Sequence, residues 1–182
     1  ELKGEAELVH ACKLETAEGL RVTTDSEAVR EARRRNLDKI LARHPHACLA
    51  CAQQEGCARE PCSTSLPAEE RCCPQLGRCE LQKVAAYIGI SPSTPRWTPT
   101  AYPVFRDEPL IERNYNLCIG CTRCVRACND LRGIGALTTM EIDESITIAW
   151  AKNETLLDSG CRFCGACVEV CPTGALIDKG IS

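Results

Sequence analysis

The run C-x2-C-x2-C-x3-C occurs twice, as "CIGCTRCVRAC" at Cys118, Cys121, Cys124 and Cys128, and as "CRFCGACVEVC" at Cys161, Cys164, Cys167 and Cys171. Three thiols two residues apart share one tight loop, and the fourth begins the helix after it. A chain built this way folds around what its sulfurs hold. With 16 Cys in 182 residues, it approaches the one-in-ten density of chains stapled by metals or disulfides. Aromatic packing material is thin, limited to Trp97, Trp150, Tyr87, Tyr102, Tyr115, Phe105 and Phe163. The net charge of −3 leaves no basic surplus for nucleic acid, and Arg33, Arg34 and Arg35 read as the solvated face of a helix. No apolar stretch approaches the roughly 18 residues of a membrane span, and the N-terminus lacks a signal-peptide pattern. The expectation is a soluble, cytoplasmic chain. A reducing cytosol favours metal or redox chemistry over structural disulfides.

The doubled run resembles the two-cluster bacterial ferredoxin domain, and Pro172 stands after Cys171 as that pattern requires. Asn129 stands where the first run should have its proline. Zinc also uses C-x2-C spacing, but four thiolates two and three residues apart, repeated, fit zinc knuckles poorly. The ferredoxin resemblance covers about residues 110 to 180. It implies two [4Fe-4S] clusters with crossed ligation, in which the fourth Cys of each run serves the other cluster. One would lie on Cys118, Cys121, Cys124 and Cys171, the other on Cys161, Cys164, Cys167 and Cys128.

The fold class expected is α+β, in four parts. Residues 1–43 should carry one or two short strands ("AELVHACKL", "GLRVTT") and a helix from about Glu27 to Arg43, capped by Asp25 or Ser26. Residues 44–90 are a Cys-rich loop ending in a short helix, "ELQKVAAYIG", that Gly89 stops. Residues 91–110 hold five prolines, which keep the segment extended and out of any helix or central strand. It would serve as a tether or as an arm laid over a neighbour. Residues 111–182 form the doubled-run domain, where "GALTTMEI" and "GALID" supply the strands after each helix.

The segment "HPHACLACAQQEGC" has the spacing H-x3-C-x2-C-x5-C. It closely resembles the segment that binds a His-ligated [4Fe-4S] cluster in the large iron–sulfur subunit of respiratory complex I, in NAD-linked formate dehydrogenases and in iron-only hydrogenases. The flanks agree: "EGLRVTTDSEAVREARR" is similar to the end of that family's [2Fe-2S] ferredoxin-like domain, and "GRCELQKVAAYIGI" to the stretch around and beyond its last ligand. The resemblance gives His44 the ligand role, with His46 a bystander and His10 on the surface. The chain departs from the family where one Cys should both complete the x5 spacing and precede "ELQ". Here Cys57 does the first and Cys79 the second, and the insertion between them brings Cys62, Cys72 and Cys73. With His44, Cys48, Cys51, Cys57 and Cys79 these make eight donors, four for each of two clusters. An extra [4Fe-4S] cluster in the insertion is therefore expected, against a disulfide, a zinc site or free thiols. Cys12 sits where the family's [2Fe-2S] domain has its final ligand. It belongs to such a cluster if residues precede Glu1, and is otherwise a buried small hydrophobe.

No nucleophile with a base and no Gly-rich dinucleotide fingerprint appears, so bound cofactors are expected to carry the chemistry. The resemblance implies an electron-transfer module of a larger oxidoreductase. It would pass single electrons between a flavin or NAD(P)-binding subunit and a second redox subunit. The alternatives are a feeder of a glutamate-synthase-type or electron-bifurcating flavoenzyme and, from another class, a zinc-stabilised interaction module.

Overall fold

The computed structural model describes residues 7–49, 51, 77–95, 97, 100–142, 144–151 and 155–180. Helix α1 spans Glu27–Leu41, and the Ser26 hydroxyl accepts from the Val29 amide at its start. Asp25, the other cap candidate, instead pairs with Arg30. Helix α2 spans Glu80–Ile88 and ends on Gly89 at φ +83°, a conformation that costs a residue with Cβ. Each helix buries one stripe: Leu37 and Leu41 from α1, Leu81 and Ala85 from α2. The four-residue spacing puts each pair on one helix face. At about 1.5–3 kcal/mol for each fully buried leucine, this small core holds the His/Cys segment between two helices.

The strands expected ahead of α1 are not formed. Ala11–Lys13 make a single 3₁₀ turn, and only an isolated bridge at Val22 interrupts the irregular backbone from Leu14 to Ser26. The apolar side chains of Leu8, Val9, Leu20 and Val22 are exposed, so the alternation seen in the sequence has no face to bury here. β-propensity needs a half-buried surface to act on.

Beyond the proline-rich arm, β1 (Val104–Phe105), β2 (Ile111–Asn114) and β5 (Leu176–Asp178) form an antiparallel sheet in the order β1-β2-β5. Strand β3 (Leu137–Ile142) pairs with β4 (Ser145–Trp150) as a hairpin. The arm contributes β1 only as an edge strand, as its prolines require. Its last residues thus belong to the sheet rather than to a free linker. The Asn116 side chain clamps Tyr102 by accepting from its amide and donating to its carbonyl, both at 2.8 Å. Thr94 ties the arm's start to Asp38 of α1 at 2.6 Å.

The core under both sheets is made of Ile111, Ala136, Leu137, Ile148, Leu156 and Leu176 together with Cys124 and Cys128. Sulfur takes the place of the missing aromatics. The helices of this half are short: α3 (Arg123–Arg126) runs into a π-helical turn at Ala127–Leu131 that carries Cys128, and α4 covers Ala166–Glu169. Two contacts seat the His/Cys segment on this domain. The Leu81 amide donates to the Pro172 carbonyl at 2.9 Å, and Arg123 grips Glu80 with two nitrogens at 2.6 and 3.0 Å.

Candidate metal centres

The two Cys loops share one backbone. Gly120 and Phe163, each just before the second Cys of its run, have φ of +67° and +49°; Thr122 and Gly165, just after it, have +59° and +75°. Each loop therefore sets one glycine and one strained residue at equivalent turns. The fold turns the sulfurs inward at the cost of that strain. Equivalent amides serve equivalent sulfurs: Gly120 N–H donates to Cys118 Sγ at 3.5 Å and Phe163 N–H to Cys161 Sγ at 3.3 Å. Gly120 is further constrained because a Cβ there would overlap the Ile146 carbonyl of the hairpin.

The fourth Cys of each run faces the opposite run. Burial, and then crowding by Cys171, Cys121 and Cys118, pushes the Cys124 thiol up to about 12. Burial together with Cys161, Cys128 and Cys164 pushes Cys167 up to about 11. Cys128 also lines one recess with Cys161, Cys164 and Cys167. Cys171 is drawn to the first run through Thr173, whose hydroxyl donates to the Leu117 carbonyl at 2.8 Å and lies 3.7 Å from Cys171 Sγ. Cys171 thus neighbours Cys118, Cys121 and Cys124, and Cys128 neighbours Cys161, Cys164 and Cys167; these two quartets also approach each other, since Cys167 acts on Cys124. Thiolates packed this way repel one another in an apolar setting, and a bound cation would relieve both penalties.

His44 is 2 % exposed. Its Nδ1 lies 2.9 Å from the Pro45 carbonyl, and its Nε2 is buried with no hydrogen-bond partner. With the proton on Nδ1, where the carbonyl can accept it, Nε2 carries a free lone pair. A backbone carbonyl fixing the tautomer is the usual setting of a ligating imidazole. Burial lowers its pKa to about 4 and so keeps the ring neutral. His46 is also buried, with Nδ1 3.0 Å from the His44 carbonyl, so it steadies the loop rather than standing idle. His10 is exposed, as expected. Cys48 and Cys51 are half-buried. Cys79 caps α2, its sulfur accepting from the Gln82 amide at 3.4 Å, and packs against the α1/α2 core that Leu49 also joins. Cys57, Cys62, Cys72 and Cys73 lie outside the described residues. Cys12 is exposed, which corrects the buried-hydrophobe alternative: among the described residues the 3₁₀ turn that carries it has no buried residue.

No disulfide forms among the described cysteines. Among the described residues no three His, Cys, Asp or Glu side chains converge closely enough to share one metal ion. A zinc ion would need its donors about 2.0–2.3 Å from a single centre. An iron–sulfur cluster takes each thiolate on a separate iron, and the cysteine quartets and the orphaned His44 nitrogen supply donors of the kind that group takes. Sequence reading missed Thr173, Glu80 and Arg123, because nothing in their local pattern announces a partner more than 40 residues away.

The family model for the ferredoxin-like domain of NADH-quinone oxidoreductase subunit 3 matches residues 108–177. The resemblance runs further than that domain. A subunit of the NADP-reducing hydrogenase of Solidesulfovibrio fructosivorans is 31 % identical over 98 % of this chain. A subunit of the NADH-quinone oxidoreductase of Rhizobium meliloti is 32 % identical over 97 %, and the NADPH-Fe(3+) oxidoreductase alpha subunit of Geobacter sulfurreducens 28 % over 98 %. The chain spans only 27 %, 18 % and 18 % of these relatives' lengths. The fold is shared with a crystal structure of an NAD⁺-reducing [NiFe]-hydrogenase at a TM-score of 0.65 and 23 % identity, covering 94 % of this chain and 64 % of that one. The expected resemblance to the iron–sulfur region of complex I and hydrogenase subunits is borne out. No helix among the described residues is long and apolar enough to cross a membrane.

Proposed function

We propose that this chain is the iron–sulfur relay of a larger oxidoreductase, passing single electrons between a flavin or NAD(P)-linked subunit and a second redox subunit. The observation that supports this reading is the approach of the two Cys runs: Cys171 acts on Cys121 and Cys124 of the first run, and Cys128 lines a recess with Cys161, Cys164 and Cys167 of the second. Crossed quartets of cysteines are the arrangement that two [4Fe-4S] clusters require. Bound clusters would supply one-electron acceptor and donor capacity in the range ferredoxins span.

The chain's own residues do the rest. Cys118, Cys121, Cys124 and Cys171 would hold the first cluster, and Cys128, Cys161, Cys164 and Cys167 the second. His44 Nε2, with Cys48, Cys51 and one further Cys, would hold a third, and the remaining four of Cys57, Cys62, Cys72, Cys73 and Cys79 would hold a fourth. Cys12 would serve a [2Fe-2S] cluster where upstream sequence provides its partners. Amides of Gly120 and Phe163 donate to sulfur, and the Ile111, Ala136 and Leu176 core excludes water. The bond from the Leu81 amide to the Pro172 carbonyl joins a residue two past Cys79 to the one next to Cys171, which gives a short route between the His44 segment and the first quartet.

Anaerobic protein co-purified with its complex tests the reading. Absorbance near 400 nm should bleach on addition of NADH or NADPH, and paramagnetic resonance signals of reduced clusters should appear at low temperature. A colourless, iron-free complex that still binds zinc would overturn it.

A further inference from the structure

Strand β2 alternates buried and half-buried positions, and its two inward residues are Ile111 and Arg113. Ile111 sits in the core beside Cys124 and Cys128. By the period of two, Arg113 enters the same layer, where an apolar residue is the ordinary occupant. It is 2 % exposed, and its Nε and Nη1 have no hydrogen-bond partner. Its remaining nitrogen donates to the Tyr115 hydroxyl. The guanidinium lies over Trp150, 2.9 Å from the ring centroid, with Tyr115 at 4.5 Å and Phe105 at 5.1 Å. Three of the chain's few aromatics are spent on one cation.

A buried charge needs a counter-charge. Glu108 is the carboxylate that acts on it, but its Oε1 turns to the Leu156 amide at 2.7 Å and to Trp150 Nε1 at 3.2 Å and does not bond the guanidinium. No ion pair of Arg113 forms among the described residues. Besides Tyr115 and Glu108, the groups close enough to act on it are Cys118 and Cys124, both in the first quartet, whose sulfurs become anionic only when a metal centre is bound. Arg113 is linked to that quartet through Tyr115 as well, whose carbonyl accepts from the Cys118 amide at 3.1 Å. Cation–π contact alone, at about 2 kcal/mol or more when desolvated, recovers only part of the several kcal/mol that burying a lone charge costs.

We infer that Arg113 is the internal counter-cation of the first centre and sets its reduction potential above that of the second. The inference rests on the cluster reading proposed above. Reduction brings one electron from a donor such as dithionite and breaks no bond. Arg113 offsets the negative charge so added, at short range and in a water-poor core, where charge interactions are little screened. Burial lowers its pKa to about 10, so it stays a cation at neutral pH and no proton accompanies the electron. The second quartet has no such buried cation among the described residues: Arg132, which bonds Cys164, is exposed.

The test is a redox titration of the intact anaerobic complex, monitored by paramagnetic resonance, for Arg113→Met and Arg113→Lys. Methionine keeps an apolar stem and removes the charge, whereas lysine keeps the charge. In Arg113→Met one cluster should become at least tenfold harder to reduce, which is about 59 mV for a one-electron couple; the others should not move, and Arg113→Lys should restore most of the shift. Full iron content with every potential unchanged in Arg113→Met would overturn the inference and leave Arg113 as an aromatic-cage residue, recognised by a lowered unfolding temperature alone. Equal shifts of all clusters would overturn it too. If Arg113→Met does not accumulate, Arg113→Lys must hold the wild-type potential while Glu108→Gln, which removes a neighbouring anion, raises that of the same cluster; failure of that pair refutes the inference. Absence of iron from the wild-type complex would instead refute the cluster reading itself.

Discussion

Changing Gly120 to alanine should damage the first Cys loop far more than the same change at Gly165, although both glycines have positive φ. At Gly165 (φ +75°) a Cβ meets nothing within 4 Å, so the cost is that of the left-handed conformation, about 1–2 kcal/mol. At Gly120 (φ +67°) the Cβ would overlap the Ile146 carbonyl oxygen and sit 3.3 Å from its carbon. Overpacking of that kind adds about 1–3 kcal/mol, for roughly 2–5 kcal/mol in all. In a chain of this size 1 kcal/mol lowers the midpoint by roughly 2–4 °C, so Gly120→Ala should fall by about 4–20 °C and Gly165→Ala by about 2–8 °C. The assay is heating of the anaerobic holoprotein, with visible absorbance reporting cluster loss and circular dichroism reporting unfolding. Because the obstructing atom is backbone, Ile146→Ala in the same chain should rescue nothing. Equal midpoints for the two glycine variants, or rescue by Ile146→Ala, would refute the close approach of loop and hairpin.

The same geometry has other consequences. Cys171→Ala should remove the cluster of Cys118, Cys121 and Cys124 while sparing that of its own run, read from the resonance signals of the reduced protein; loss of the neighbouring cluster instead would deny the crossing. In metal-free chain, His44 is buried neutral with its pKa lowered to about 4, whereas an unfolded His binds a proton near 6.5. Its stabilising contribution is therefore complete above about pH 6.5 and falls by about 3 kcal/mol towards pH 4; urea midpoints across that range should flatten in His44→Gln. His44→Cys should keep its cluster at a lower potential, since thiolate adds negative charge, and an unchanged titration would remove His44 from the ligands. Reconstituted protein should hold about 16 iron if Cys62, Cys72 and Cys73 serve their own cluster and about 12 if they do not, counted at four per cluster.

The amino-acid sequence by itself determined the local chemistry. Spacing alone placed three sulfurs on each loop of the repeat, Ser26 and Gly89 marked helix ends now seen at Glu27 and Ile88, and five prolines kept residues 91–109 out of the sheet interior. These are short-range effects, fixed by backbone sterics and by hydrogen bonds over three or four residues. The weak alternation ahead of α1 misled, because alternation forms a strand only where another surface covers one face. The crossing of Cys128 and Cys171 came from the resemblance and not from spacing, and what brings Cys171 towards the first run is tertiary: β5 pairs with β2, and Thr173 reaches Leu117 across the domain. Tertiary structure also decided that Arg113, which any reading of "IERNY" would leave in water, lies under three aromatic rings beside the first quartet. A charge is costly to bury, and only the assembled core, with the rings of Trp150, Tyr115 and Phe105 around the guanidinium, gives that position its partners.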